Sequence, residues 1–300
     1  MKTNLSSQIT FTRVSPRYYQ PADNVERSII TRHERIATDI YPTINEGARS
    51  VATEIAAKVR EKQRLGQTCI MGLVGGNSPA EVFTQLIKMH TDEGLSFSNV
   101  VVFMAYEYYP LPTDSDASCF KAVYDNFLSQ IDIPEQNIHR INGHISQEDV
   151  PHHCYDYEEE IRRMGGIDIM LLGIGRLGNI AMNASGSTAA SRTRMVLLDE
   201  VSRREARKMF GSASQVPPCG ITLGIGTILA AHKVYLVAWG DEKAEVTRAT
   251  IEERANEQYT ASFLQLNPRS RVVLDLSAAA HLTRIRYPWL VTSCDWDDKL

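Results

Sequence analysis

Three hundred residues, 43% hydrophobic and 23% charged, have the composition of an ordinary soluble globular protein, with chain enough for one large α/β domain or two small ones. A formal net charge of −4 gives no general pull toward nucleic acid or acidic membranes, and no apolar run reaches membrane-spanning length. Five widely spaced cysteines without a C-x-x-C pair argue against a disulfide framework and against zinc, and fit the reducing cytoplasm.

Residues 1–40 are polar, carry Pro16, Pro21 and the Tyr18-Tyr19 pair, and show no periodicity. They read as an N-terminal extension that packs on the domain or on a partner. From Thr43 onward, Ile44, Ala48, Val51, Ile55, Ala56 and Val59 recur at helical spacing and predict an amphipathic covering helix. A buried strand is predicted over 68–74, followed at once by Gly75-Gly76-Asn77-Ser78-Pro79 and a helix over 80–90. A strand, a glycine turn and a Ser-Pro helix start aim free backbone N–H groups and the positive end of a helix dipole at an anion. Taken alone, the turn fits a plain structural role equally well.

A second strand, 99–104, runs into Ala105-Tyr106-Glu107-Tyr108-Tyr109-Pro110, where it is expected to stop at the same sheet edge. A helix is predicted near 120–130. His139, His144, His152 and His153 follow, without the spacing of a metal-binding motif, so no metal is expected. After a helix over 155–164 comes the central stretch. Residues 167–172, apolar except for Asp168, predict a buried parallel strand that empties into a loop with Gly173, Gly175 and Gly178. Beyond it lie Asn183, Ser187, Ser191, Arg192 and Arg194, groups suited to an oxygen-rich ligand. Between Gly173 and Ser191 there is no Asp, Glu, His or Cys. This is a pocket without an obvious acid or base.

The same glycines could mark a dinucleotide site, but the position of a ribose-binding acid falls in the strand predicted over 195–198, with Asp199 and Glu200 nearest. A basic helix over 202–210, a strand over 233–239, a helix running to Arg254 and a strand over 272–276 complete the pattern. Alternating strand and helix predict an α/β fold, a doubly wound, mostly parallel sheet with helices on both faces. Residues 41–285 read as one domain and 286–300 as a tail, where a linker to a second domain would start.

From about residue 44 to 280, the order of motifs resembles the glucosamine-6-phosphate deaminase/isomerase family, which shares its fold with 6-phosphogluconolactonase and ribose-5-phosphate isomerase. The resemblance is carried by Gly75-Gly76-Asn77-Ser78-Pro79 as the phosphate loop, Glu107-Tyr108 as the end of an Asp-Glu-Tyr motif, and Ser191-Arg192-Thr193-Arg194. Leu223-Gly224-Ile225-Gly226-Thr227-Ile228-Leu229 and Gly240-Asp241-Glu242-Lys243-Ala244 extend it. It implies a sugar 6-phosphate ligand, cytoplasmic amino-sugar metabolism and no cofactor. In the chemistry it implies, a carboxylate carries a proton from C2 to C1 and a histidine opens the ring.

Carried over position by position, the base falls on Tyr106, the family's Asp-Gly-His on Leu177-Gly178-Asn179, and a further carboxylate on Ala184. The phosphate set is better kept: Gly75, Gly76, Asn77, Ser78 and Lys243 match, and Lys208 stands where the family has arginine, with Arg207 one step away. Gly175, Gly178, Asn183, Ser187 and Arg192 are expected to line the pocket. Arg192 and Arg194 also fit surface ion pairs. Three functional readings stay open: an altered deaminase using Glu107, Tyr106 and Asn179; a catalytically inactive sugar-phosphate-binding regulatory module; and a 6-phosphogluconolactonase-like hydrolase. Glu107 reads either as a substitute base or as a partner for backbone amides. The two chain ends resemble longer bacterial members in which this domain is fused to a deacetylase-like domain. The implied partners are therefore a sugar phosphate and either further copies of the chain or a deacetylase-like domain, with neither nucleic acid nor membrane.

Overall fold

The computed structural model describes residues 14–112 and 114–292. In chain order its strands are β1 (Ala37–Tyr41), β2 (Cys69–Leu73), β3 (Val100–Met104), β4 (Tyr106–Tyr109), β5 (Ile138–His139), β6 (Ile169–Gly173), β7 (Arg194–Leu197), β8 (Cys219–Thr222), β9 (Lys233–Ala238) and β10 (Ser270–Asp275). The helices are α1 (Asn24–Ile30), α2 (Ile44–Arg64), α3 (Asn77–Glu93), α4 (Cys119–Asn126), α5 (Val150–Arg163), α6 (Glu200–Phe210), α7 (Ile225–Leu229), α8 (Ala244–Glu252) and α9 (Thr283–Arg286).

Seven strands form a sheet in the order β1-β10-β9-β6-β2-β3-β5, every pairing parallel. Both faces are covered, which is why β2 and β3 are buried at every position and read in the sequence as unbroken apolar runs. Successive side chains divide between two cores. Ile70, Val101, Phe103, Met170 and Leu172 face one, packed with Tyr157 and Ile161 of α5 and Val246 and Ile251 of α8. Met71, Leu73, Val100, Val102, Ile169 and Leu171 face the other, packed with Val51 and Ile55 of α2 and Phe83 and Leu86 of α3. Thr43 caps α2 by accepting from the Glu46 amide at 3.2 Å, so the helix starts where the sequence predicts.

Three features differ from expectation. Residues 106–109 do not end at the main sheet: the chain turns out after Ala105, and β4 joins β8 and β7 in a separate antiparallel sheet. The strand predicted over 195–198 is β7 of that same small sheet. Its strands are four residues long and partly exposed, too short for periodicity to distinguish them from loop. The predicted extension 1–40 also contributes structure, because β1 adds to the sheet edge against β10. α1 has only seven residues, held by Asp23 accepting from the Glu26 amide at 2.8 Å, and is likewise too short to announce itself. Of the expected tail, residues 286–292 turn back onto the domain and bury Val291 to 1% exposure. Residues 1–13 and 293–300 lie outside the described residues. No helix among the described residues is long and apolar enough to cross a membrane.

The strand order positions the site. From β2 the chain moves to β3 on one side, whereas β6, which pairs with the other side of β2, leads on through β9 to β10. The connections after β2 and β6 therefore diverge, and a crevice opens between the C-terminal ends of these two strands.

Candidate functional site

Both glycine loops empty into that crevice. At the end of β2, Gly76 has φ +119°, a conformation that side chains resist, and it starts α3 with no side chain capping the helix. The amides of the first turn of α3 are thus left for an external acceptor. From the other wall, Gly173 at the end of β6 comes so near that a Cβ there would sit 3.3 Å from Pro79 Cδ. The indole of Trp239, one residue past β9, donates to the Ser78 carbonyl at 2.9 Å and fixes the turn.

Lys243 follows through Gly240. Its side chain is partly buried and makes no hydrogen bond or ion pair among the described residues. Burial pulls its pKa down, while Glu205 and Glu242 hold it up and Arg176 adds to the depression. A partly desolvated ammonium with Arg176 nearby is suited to an anion. Arg176, on the loop after β6, pairs with Glu205 of α6 at 2.7 Å, and Phe210 of α6 packs edge-on to Tyr108 at 5.0 Å between centroids. These two contacts tether α6 beside the crevice. Lys208 is three residues after Glu205 and shares its side of the helix, whereas Arg207, two residues after, does not. Sequence reasoning missed the Arg176–Glu205 pair. Its signal was an unpaired Arg in a loop with no acid of its own.

The expected acid-base residues sit differently. Tyr106 pairs with Thr222, and Thr222 with Arg194, so the three side chains share one face of the small sheet. Thr222 Oγ1 accepts from the Met182 amide at 3.3 Å, which identifies this as the face toward the central loop. The Tyr106 hydroxyl donates to the Gly75 carbonyl at 3.1 Å. Burial raises its pKa well above 10, and Cys119, Tyr108 and Glu107 push it the same way, so it keeps its proton at neutral pH. Glu107, the next residue along the strand, points to the opposite face. It is 4% exposed, and its oxygens accept from the amides of Tyr108 (2.9 Å), Cys119 (2.9 Å) and Phe120 (3.1 Å) and from the Ser118 hydroxyl (2.6 Å). The expectation that Glu107 and Tyr106 serve together as a relocated acid-base pair is thus corrected by strand alternation: the carboxylate caps α4. Asn179 folds against Gly175 and donates to the Ala181 carbonyl at 3.0 Å; Leu177 is exposed and Ala184 is partly exposed.

The expected lining residues also divide. Gly175 and Gly178 shape the loop, Gly178 with φ +72° against Tyr259. Asn183 is fully buried and structural: its amide donates to the carbonyls of Ile180 and Leu223, and its Oδ1 accepts from Arg194 at 3.0 Å. Ser187 accepts from the same guanidinium at 2.8 Å. Arg192 turns away, 3.9 Å from Glu158, into a separate cavity of about 1060 Å³ beside α5. Asn183 and Ser187 thus brace the central loop through Arg194, and Arg192 faces the α5 cavity.

Comparison with known proteins identifies the family and the fold. The family described as glucosamine-6-phosphate isomerases/6-phosphogluconolactonase matches residues 42–274. A glucosamine-6-phosphate deaminase-like protein of Bacteroides thetaiotaomicron is 52% identical over the whole chain, which spans 45% of that protein's length. A glucosamine-6-phosphate deaminase of Parabacteroides distasonis is 33% identical over 81% of the chain and 90% of its own length. Among solved structures, a monomeric glucosamine-6-phosphate deaminase superposes with TM-score 0.78 at 32% identity, covering 82% of this chain and all of that one. A 6-phosphogluconolactonase from Trypanosoma brucei shares the fold, with TM-score 0.67 at 19% identity over 82% of this chain and 98% of its own.

Proposed function

The chain belongs to the family of glucosamine-6-phosphate isomerases and 6-phosphogluconolactonases, and from that membership we propose that it binds a sugar 6-phosphate in the β2/β6 crevice without performing the deamination. The observation that carries this reading is Tyr106: where the resemblance puts the base that takes the C2 proton, a protonated phenol donates its hydrogen to Gly75. A base needs a pKa near the working pH, and burial holds this phenol's pKa well above 10. The only neighbouring carboxylate on the strand, Glu107, is turned away and filled by four donors. General acid-base help is worth about 10²- to 10⁴-fold per group, so its loss at Tyr106, Leu177, Asn179 and Ala184 together removes useful turnover.

Binding is supported by what remains. The uncapped α3 amides behind Gly76, the unpaired Lys243 and Lys208 on α6 supply an anion site on three separate elements. The proposed role is that of a phosphosugar-responsive module. The test is conversion of glucosamine 6-phosphate to fructose 6-phosphate and ammonia at high protein concentration, run beside calorimetric titration of the same ligand. No turnover above a Tyr106→Phe control is expected, with measurable binding that Lys243→Ala weakens at least about tenfold, roughly 1.4 kcal/mol. Turnover that Tyr106→Phe abolishes would establish an altered deaminase instead.

A further inference from the structure

The start of α3 is held from outside the helix, by a residue that motif order does not mark, and the inference drawn from it rests on the phosphate-binding reading above. In the first turn of α3, Pro79 has no amide hydrogen and the Ala80 amide donates to the Gly76 carbonyl at 3.3 Å. Among the described residues, the N–H groups left for an anion there are those of Asn77 and Ser78. Two amides serve one anion only while both are aimed at it. No side chain caps α3, so their direction depends on what packs against the turn. The end of β6 supplies one contact: a Cβ at Gly173 would stand 3.3 Å from Pro79 Cδ and 3.9 Å from Ser78 Cβ. The end of β9 supplies the other, through Trp239.

Ser78 is the second residue of α3, and a helix carbonyl accepts from the amide four residues on through one lone pair. The Trp239 indole N–H, 2.9 Å from the same oxygen, is a second donor that fixes its direction. The indole is itself fixed. It is 6% exposed, and the far edge of its six-membered ring abuts Gly47 in the first turn of α2. A Cβ at Gly47 would stand 3.0 Å from Trp239 Cη2, 3.0 Å from Cζ3 and 3.5 Å from Tyr41 Cδ2. Glycine weakens a helix, so this close approach is what the missing Cβ serves. The Nε1 and the Cζ3–Cη2 edge lie at opposite ends of the indole. The ring therefore bridges α2 and the start of α3.

We propose that Trp239 is a positioning residue for the anion: seated on Gly47, it holds the Ser78 carbonyl, and with it the Asn77 and Ser78 amides, in the direction that a phosphate group needs. A phosphate at these amides stands one residue from the indole's acceptor, so the indole senses its field. The test is calorimetric titration of the full chain with glucosamine 6-phosphate and glucose 6-phosphate, repeated in Trp239→Phe and in Gly47→Ala. Trp239→Phe keeps an aromatic ring and removes the N–H. Gly47→Ala keeps the indole and presses on its far edge, although alanine is ordinarily the better helix residue. Each is expected to weaken both ligands by the same factor, about fivefold for one lost hydrogen bond, since the phosphate is what the ligands share. Indole emission is followed in parallel with Trp239 as the sole tryptophan, Trp289 and Trp296 being replaced by phenylalanine. Saturation with glucosamine 6-phosphate should change it, a readout that does not depend on Trp239→Phe folding. Unchanged affinity in Trp239→Phe, whatever its stability, or an emission indifferent to saturation means that the indole only fills the core, and overturns the proposal. Weakening by Trp239→Phe but not by Gly47→Ala overturns the part given to α2. Weakening of one sugar phosphate alone overturns the assignment to the anion. Failure of the unmodified chain to bind either ligand overturns instead the reading beneath.

Discussion

Four donors converge on Glu107: the Cys119 and Phe120 amides in the first turn of α4, the hydroxyl of its N-cap Ser118, and the amide of Tyr108 on its own strand. A glutamine in its place would offer one oxygen to these donors and turn an N–H₂ group toward the rest. Glu107→Gln is therefore expected to lower folding stability by about 2–3 kcal/mol, since bonds to a charged acceptor are worth more than neutral ones and orphaned buried amides add their own cost. Urea denaturation measures it. Tyr106→Phe, by contrast, deletes one bond to a carbonyl and should cost about 1 kcal/mol or less. Comparable small effects from both substitutions would mean that the Glu107 carboxylate is not committed to the α4 cap and is available for chemistry. The two neighbours thus differ in kind: one is needed for folding, and the other stands in the site with its proton retained.

At the scale of elements, α6 is the least committed part of the crevice. Ala206 is its only buried residue among those described, and its side-chain links beyond the helix include the Arg176–Glu205 pair, the bond from Arg203 to the Val216 carbonyl at 3.4 Å and the Phe210–Tyr108 contact. Both partners of the ion pair are largely solvated, so the pair is worth about 0–1 kcal/mol. Glu205→Ala should leave the global unfolding midpoint almost unchanged while amide exchange across residues 200–210 speeds several-fold, because local opening of α6 draws on that pair. Exchange unchanged in the variant would mean that other contacts hold the helix. What the sequence made legible follows the same divide. β2, β3, β6 and β9 are buried on both faces and announce themselves as apolar runs, and the glycine turns after β2 and β6 mark the crevice. β4 and β7 take their structure from pairing with β8, which no local pattern encodes. The direction of Glu107 was hidden for that reason: it depends on strand register, and motif order cannot say which face a residue occupies. Arg176 meeting Glu205 is a tertiary contact between a loop and a distant helix, equally silent in spacing.

Across the whole molecule, the two ends of the described chain are joined through one buried pair. Arg284 of α9 is 2% exposed and lies 2.7 Å from Glu34, in the segment between α1 and β1, and it also donates to the Thr38 carbonyl at 3.0 Å. Where Glu34 is ionised, removing its partner strands a buried charge, so Arg284→Met is expected to cost about 3–5 kcal/mol above pH 8. The pH dependence has a definite sign. Burial raises the Glu34 pKa from 4.5 to about 8, with Arg284 opposing the rise. The fold therefore holds a proton that the unfolded chain releases. The stability it contributes is complete below about 4.5 and is lost as pH rises to about 8. Taking away the arginine removes the opposing attraction and moves the folded pKa higher still. The variant must go on losing stability above pH 8, where the parent has levelled off. The penalty of Arg284→Met, from urea midpoints, should then be larger at pH 9 than at pH 6, and Glu34→Gln added to Arg284→Met should remove that difference and recover part of the loss. A penalty independent of pH would mean that the Glu34 carboxyl stays neutral throughout, and that Arg284 acts on the fold through its bond to Thr38 and its packing alone.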